Sequence, residues 1–420
     1  MKSTMSRGAA IAAAVILSGA PAHATDAPSE HWVGTWAASP QPFMPEHLET
    51  FRNQSVRLIV HTSIGGPGVR VRISNANGTQ PLAIGAAHVA QSRKGADIDP
   101  ATDRALKFEG KTAVMIAPGK SVVSDPVQLE ARALSDLAVT FFFPQETQAT
   151  TNHFLAQQTG YVSPPTGDVT ATERFPVAKT IDSWPFLTGI DVLAPARAAS
   201  VVLFGDSTVD GDGSTENTNQ RWSDAVAKRL QQSDRGPQIG VLNQGIIGNR
   251  MLADSPPGKF GAALGEAGIR RFARDALDQP GVKCIVVRLG VNDLGFPGSF
   301  DSKAGPMTAE ALIGGYRQLI ERAHRAGVRI VGTTIVPFEG TTLNDSYYSA
   351  AKEQTRQQVN AWLRKEQAFD GLIDLDKVLR DPDHPTRMLP AYDSGDHLHP
   401  GDAGYAASAD AVTLSVLGLE

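Results

Sequence analysis

Two kinds of hydrophobic spacing divide the chain. From about Trp32 to Thr180, apolar and polar residues alternate in short runs. Val56, Leu58 and Val60 lead into Gly65-Gly66-Pro67-Gly68, and Val69, Val71 and Ile73 follow before Asn75-Ala76-Asn77-Gly78. A period of two bracketed by turn residues predicts strand, turn and strand, because successive side chains of a strand point to opposite faces. The β-rich runs Ala113 to Ile116, Val127 to Leu129 and Leu137 to Phe143 are separated by Gly, Pro and Asp, with no long amphipathic helix between them. Such strands predict an all-β sandwich or jelly roll. The segment Leu193-Ala194-Pro195-Ala196 reads as a linker.

Beyond it the period switches between strand and helix. Ser200 to Phe204, Ile239 to Leu242, Ile285 to Leu289, Val328 to Thr333 and Leu372 to Leu375 are short apolar runs. Helix-like stretches alternate with them, at Gln220 to Gln231 and at about 260–278, 308–326, 349–365 and 402–416. This alternation predicts a parallel sheet covered on both faces, an α/β fold whose ligands sit beyond the carboxyl ends of its strands.

Length and composition agree with a globular chain of two domains. There are 420 residues, 41% hydrophobic and 20% charged, with a net charge of −5 that is not gathered in any block. Long disorder and a nucleic-acid-binding surface are excluded on that composition. At the N-terminus, Lys2 and Arg7 precede the apolar run Gly8 to Ala20, too short to span a bilayer, and Ala22-His23-Ala24 has the form of a cleavage site. Residues 1–24 therefore read as a signal peptide, followed by a β-sandwich domain over 25–194 and an α/β domain over 195–420. The expected compartment is the periplasm or the medium, with no membrane contact after cleavage. Cys284 is the only cysteine and sits in a β-like run, so no internal disulfide is available and a buried, inert thiol is expected.

Loops after the apolar runs carry the candidate chemistry. The first run ends in Gly205-Asp206-Ser207, which puts a hydroxyl in the ligand crevice. After the second comes Asn243-Gln244-Gly245-Ile246-Ile247-Gly248-Asn249, where glycines let backbone N–H groups approach a ligand. The third leads to Gly290-Val291-Asn292-Asp293, where the Asn292 amide can donate to a developing oxyanion. Near the C-terminus, Asp396-His397-Leu398-His399-Pro400 holds a carboxylate and an imidazole three residues apart, a spacing that lets the acid orient the base.

Gly205-Asp206-Ser207, Gly248, Gly290-x-Asn292-Asp293 and Asp396-x-x-His399, in that order, resemble the four blocks of the SGNH (GDSL) hydrolase family. The resemblance covers about residues 195–420 and takes in Arg221-Trp222-Ser223-Asp224 and Arg271-Phe272-x-x-Asp275. With Trp32-Val33-Gly34-Thr35-Trp36 ahead of a β-rich domain, the chain is similar to secreted bacterial xylanase-cluster esterases. The resemblance implies a flavodoxin-like α/β/α sandwich and ester hydrolysis on a small-molecule or polysaccharide ester. It implies Ser207 as nucleophile, His399 as base, Asp396 as the residue orienting it, and the Ser207 and Gly248 N–H groups with the Asn292 amide as oxyanion donors. No cofactor and no metal are called for.

Each assignment has a rival. Ser207 is also placed to cap the segment that follows, Gly245 rivals Gly248 as a donor, and His397 rivals His399. Asp206 and Asp293 are expected to hold their loops by bonding backbone groups. Asp381, Asp383 and His384 lie in a loop marked by Pro382 and Pro385, a setting for solvated side chains more than for a metal. Trp32 and Trp36 are expected to anchor the β-domain core. Thr208-Val209 after the serine and Arg288-Leu289 before Gly290 depart from many relatives, which have Ile-Thr and an acid there. Three functions follow: a carbohydrate deacetylase or short-chain esterase, a lipase-like or aryl esterase for longer acyl groups, and a carbohydrate-binding protein with a vestigial hydrolase site. Acyl transfer to a sugar acceptor is compatible with the same residues.

Overall fold

The computed structural model describes Met1 and residues 30–420. The signal peptide read from residues 1–24 lies, Met1 aside, outside the described residues. The N-terminal half is built of two antiparallel sheets. One contains Glu30–Ala37, Leu187–Pro195 and Gly66–Ser74, the last paired with both Ser121–Val123 and Val127–Ala131. The other runs Lys179–Ile181, Gly160–Val162, Gln54–Thr62, Ser135–Phe143, Ala86–Gln91 and Arg104–Ala105. The alternation explains their pairing. Val69, Val71 and Ile73 from one sheet share a buried core with Val56, Leu58, Val60, Val139 and Phe141 from the other. Trp36 joins that core edge-on to Trp184, with ring centroids 4.9 Å apart. Trp32 does not; it is half-buried, with the Arg70 guanidinium 4.7 Å above its ring.

The connection to the second half is shorter than the sequence reading. Leu193, Ala194 and Pro195 complete the last sandwich strand, opposite Trp32, His31 and Glu30, and only Ala196–Ala198 separate it from the next strand. A proline fits there because the ladder ends with it.

The C-terminal half holds five parallel strands in the order Ile239–Gly245, Ala199–Gly205, Val282–Arg288, Arg329–Thr333, Gly371–Ile373. All seven residues of Ala199–Gly205 are buried, as a strand covered on both faces requires. Helices Gly268–Phe272, Ala309–Arg325 and Ala350–Glu366 pack on one face, and Trp222–Leu230, Leu375–Leu379 and Asp402–Asp410 on the other. Thr308 caps Ala309–Arg325 by accepting the Ala311 N–H at 3.2 Å, and Leu312, Tyr316, Leu319 and Ala323 form its buried stripe. This is the flavodoxin-like α/β/α order, preceded by an all-β sandwich.

Two expected helices are corrected. The stretch 260–278 is helical only from Gly268, because Gly258, Gly261 and Gly265 hold positive φ angles of 126°, 54° and 78° that wind the chain into turns. The stretch 402–416 breaks after Asp410, and Thr413 starts a separate turn, Leu414–Leu417, by accepting the Val416 N–H.

The outermost parallel strand, Ile239–Gly245, lies against the sandwich strand Glu30–Ala37. Its Val241 N–H donates to Ser63 Oγ at 2.9 Å, and Gly34 N–H donates to Pro280 O at 3.0 Å. The backbones approach so closely that a Cβ on Gly240 would stand 2.1 Å from Gly34 O.

Candidate active site

Ser207 stands two residues past the end of Ala199–Gly205, the second strand of the parallel sheet. Gly205 pairs with Gly245 on one side and Arg288 on the other, so the serine lies where successive connections leave the sheet in opposite directions. The loops beginning at Ile246 and Leu289 therefore flank it. The cap of the short helix Ser207–Asp210 is Asp206, not Ser207: Asp206 Oδ1 accepts the Thr208 N–H at 3.0 Å and the Thr208 hydroxyl at 2.8 Å. The Ser207 hydroxyl is left for another partner. It lies 2.8 Å from His399 Nε2.

His399 is oriented from its other nitrogen. Nδ1 is 2.5 Å from Asp396 Oδ2, while Asp396 Oδ1 accepts the N–H groups of Leu398 at 2.9 Å and His399 at 2.8 Å. The short turn thus fixes the carboxylate before it fixes the ring. Burial favours the neutral acid, but the hydrogen bond and charge of His399 and these N–H groups hold Asp396 well below the usual carboxylate range. Burial likewise favours the neutral imidazole, and the Asp396 hydrogen bond with the charges of Asp212 and Asp396 outweighs it, raising His399 above its ordinary 6.5. Asp212 Oδ2 is 3.6 Å from Nε2. His397 is not part of this chain; its Nδ1 is bonded to Asp393 Oδ2 at 2.5 Å and its ring is exposed.

The three oxyanion candidates differ from their rival. Gly245 N–H is taken by Asn243 Oδ1 at 2.9 Å, whereas among the described residues neither Ser207 N–H nor Gly248 N–H has an acceptor. Gly248 has φ 69°, and a Cβ there would stand 2.8 Å from the Leu264 side chain. Asn292 donates one amide hydrogen to Asn249 O at 3.0 Å and accepts from the Tyr347 hydroxyl at 2.7 Å. These contacts fix which end of the amide carries nitrogen and leave its second N–H to donate. Asp293 accepts Met251 N–H at 2.7 Å and Leu252 N–H at 2.9 Å, holding the neighbouring loop as expected, and burial pushes its carboxyl up to about 6.

Two groups brace this site, and sequence reasoning missed the first of them, His153. His153, from the sandwich, places Nε2 2.8 Å from Asp210 Oδ1 and Nδ1 2.9 Å from Ser39 O. A carbonyl only accepts and a carboxylate only accepts, so both ring nitrogens carry protons; the buried ring is raised because Asp210 outweighs desolvation. Asp210 Oδ2 in turn accepts Ile247 N–H at 2.9 Å, joining the serine helix to the Gly248 loop. Nothing local to Asn152-His153-Phe154 signals this.

Arg271 is the second brace. Its fully buried guanidinium donates to Gly205 O (2.7 Å), Gln244 O (3.0 Å), Asn249 Oδ1 (3.0 Å), Ser39 Oγ (3.1 Å) and Asp275 (3.1 Å). Arg271→Met is expected to cost about 3–5 kcal/mol, because it leaves the buried oxygens of Gly205, Gln244 and Asn249 without their donor, although Arg274 still pairs with Asp275. Guanidinium chloride unfolding measures it, and an unchanged midpoint would remove Arg271 from this role. Arg288 lies buried below the site, 5.0 Å from the Trp222 ring. Cys284 is buried and pushed up to about 12, far from a reactive thiolate. Among the described residues no group of three or more His, Cys, Asp or Glu is arranged to hold a metal, and no helix is long and apolar enough to cross a membrane. The Asp381 loop is closed by its own Asp383 N–H bond at 2.9 Å.

Residues 203–407 match the model of the GDSL-like lipase/acylhydrolase family. This domain belongs to that family. The matched span of the GDSL domain runs from the strand before Ser207 to the helix after His399. It sets the family and no subgroup within it. Solved structures similar to the chain include an aryl esterase of M. smegmatis (15% identity, 53% of this chain and 100% of that one, TM-score 0.41). Others are a carbohydrate acetylesterase of Sinorhizobium meliloti (15%, 53% and 100%, 0.39) and a GDSL-like lipase of Bacteroides thetaiotaomicron (14%, 52% and 87%, 0.35). No curated protein matches the chain.

Proposed function

We propose that this GDSL acylhydrolase is a serine esterase that works through an acyl-enzyme and acts on short-chain esters, acetyl esters of carbohydrates above all. The observation that carries the mechanism is the unbroken line Asp396–His399–Ser207, at 2.5 and 2.8 Å. Ser207 Oγ attacks the carbonyl carbon while its proton passes to His399 Nε2. The oxyanion is met by the Ser207 and Gly248 N–H groups and the Asn292 amide. Collapse breaks the bond to the leaving oxygen, which takes the proton from His399, and water repeats the sequence on the acyl-enzyme. Asp396 keeps the ring in the required tautomer throughout. The proposed compartment, periplasm or medium, follows from the leader pattern.

Ser207 and His399 are only 2% and 3% exposed, which supports a narrow approach suited to a small acyl group. A cavity of about 280 Å³ between Leu294, Pro297, Met307 and the start of helix Ala350–Glu366 supports the second reading, longer acyl chains, because Leu294 shares its helix with Asn292. Initial rates on p-nitrophenyl esters from acetyl to dodecanoyl separate the two. A maximum at acetyl is expected; a maximum at long chains moves the assignment to the lipase-like reading, and no turnover at any length overturns general esterase activity.

The acid limb of kcat/KM reports the free His399, which must be neutral to act as base. Its raised value places that limb above 6.5. Asp212 contributes by stabilising the imidazolium at 3.6 Å, so Asp212→Asn is expected to move the limb to lower pH. A limb that stays in place or moves upward would show that Asp212 does not act on His399.

A further inference from the structure

The Asn292 amide is aimed by Tyr347, whose hydroxyl donates to Asn292 Oδ1 at 2.7 Å. Tyr347 lies in the loop between the strand Arg329–Thr333 and the helix Ala350–Glu366, so its aim depends on what holds that loop. Its ring packs on Gly295, the last residue of the helix Val291–Gly295 that carries Asn292. A Cβ on Gly295 would stand 2.1 Å from Tyr347 Cζ and 2.4 Å from both Cε atoms. Apolar contact is non-directional, and by itself it does not set where the hydroxyl ends.

Lys352 supplies the directional part. It stands in the first turn of Ala350–Glu366, and its Nζ donates to Gly295 O at 2.8 Å, Ser346 O at 2.7 Å and Tyr347 O at 3.1 Å. An ammonium has three donors and no acceptor, so these carbonyls use all of them. The side chain is half-buried, and burial lowers its pKa from 10.5 with no carboxylate acting against it. A surface lysine ordinarily keeps its head in water. Here the head is turned onto the two segments whose separation sets the Tyr347–Asn292 bond. The helix Val291–Gly295 is held independently, by Asp293 accepting Met251 N–H and Leu252 N–H and by Asn292 donating to Asn249 O. What the ammonium adds is the placement of Tyr347.

We propose that Lys352 is a positioning residue of the oxyanion hole, acting through Tyr347 on the Asn292 amide. It touches no reacting atom. Its ammonium anchors the tyrosine backbone to the end of the Asn292 helix, the tyrosine hydroxyl then fixes Asn292 Oδ1, and the second amide N–H is left aimed at the oxyanion. The effect on rate rests on the esterase reading; the effect on the geometry of Asn292 does not.

Lys352→Met removes the donors and keeps the length of the side chain. It is expected to lower kcat on p-nitrophenyl acetate about fivefold with KM unchanged, because the amide acts on charge present only in the transition state. In a Tyr347→Phe background the same change is expected to add less than about twofold, whereas independent effects would multiply to about 25-fold. S-aminoethylation of Lys352→Cys rebuilds an ammonium at nearly the lysine length and is expected to restore kcat. Cys284, buried and pushed up to about 12, is not modified in the folded chain. Thermal unfolding confirms that each variant is folded; if Lys352→Met does not fold, the unmodified Lys352→Cys chain takes its place. A readout free of turnover is the magnetic resonance signal of the Asn292 side-chain amide in a chain carrying isotopically labelled asparagine, identified by its loss in Asn292→Ala. That signal is expected to shift in Lys352→Met and to return on aminoethylation. Wild-type kcat in folded Lys352→Met, losses that multiply with Tyr347→Phe, or an unmoved Asn292 signal overturns the proposal. A wild-type chain that hydrolyses no ester overturns the proposed function, and the Asn292 signal then decides the role of Lys352 alone.

Discussion

Ser207→Ala is expected to lower kcat on p-nitrophenyl acetate by about a millionfold, the scale on which a serine nucleophile acting with its base fails. The serine hydroxyl is the one group set 2.8 Å from His399 Nε2, and no second hydroxyl is bonded to that nitrogen among the described residues. Two further expectations sharpen the result. His399→Ala should cost nearly as much, and the double variant hardly more than either single one, because a nucleophile without its base and a base without its nucleophile fail alike. A fluorophosphonate should label one site per chain in the wild type and none in Ser207→Ala. A variant within tenfold of wild-type turnover would show that another residue is the nucleophile.

Asn292→Ala is expected to reduce kcat by about 100 to 1,000-fold with little change in KM, since the amide donates to charge that exists only in the transition state. The same change leaves Asn249 O without a donor and the Tyr347 hydroxyl without an acceptor, so a stability loss of about 1–3 kcal/mol accompanies it. Thermal unfolding separates that cost from the kinetic one. Tyr347→Phe gives an internal comparison: it keeps the amide and frees its orientation, and a loss of about fivefold is expected from one hydrogen bond. Equal losses in the two variants would mean that the amide positions the loop and does not meet the oxyanion.

The parts of the site that were legible in the sequence are those in which one short segment does its own work. Gly205-Asp206-Ser207 and Asp396-x-x-His399 place their groups by local turns, and the turn that aims Asp396 is made by N–H groups two and three residues later. The apolar runs also announced all five parallel strands, since most of their residues are buried, Gly371 and Leu372 of the last strand being half-buried. What the sequence hid depends on distance along the chain. Tyr347 reaches Asn292 across 55 residues and His153 reaches Asp210 across 57, from a different domain. Arg271 was marked by the resemblance, yet its role is set by partners that include Ser39, 232 residues away. The false helix over 260–267 has a local cause, Gly261 and Gly265, whose positive φ an apolar pattern does not register.

The contact between Glu30–Ala37 and the outermost parallel strand has a further consequence. An open edge strand is a template for pairing with another chain, and proteins ordinarily blunt it with charges or prolines. Here the strand Ile239–Gly245 carries neither, and its Val241 N–H is satisfied by a serine of the neighbouring sandwich. The sandwich therefore covers an edge that an excised hydrolase domain would leave open, and with it would go the brace that His153 supplies to Asp210.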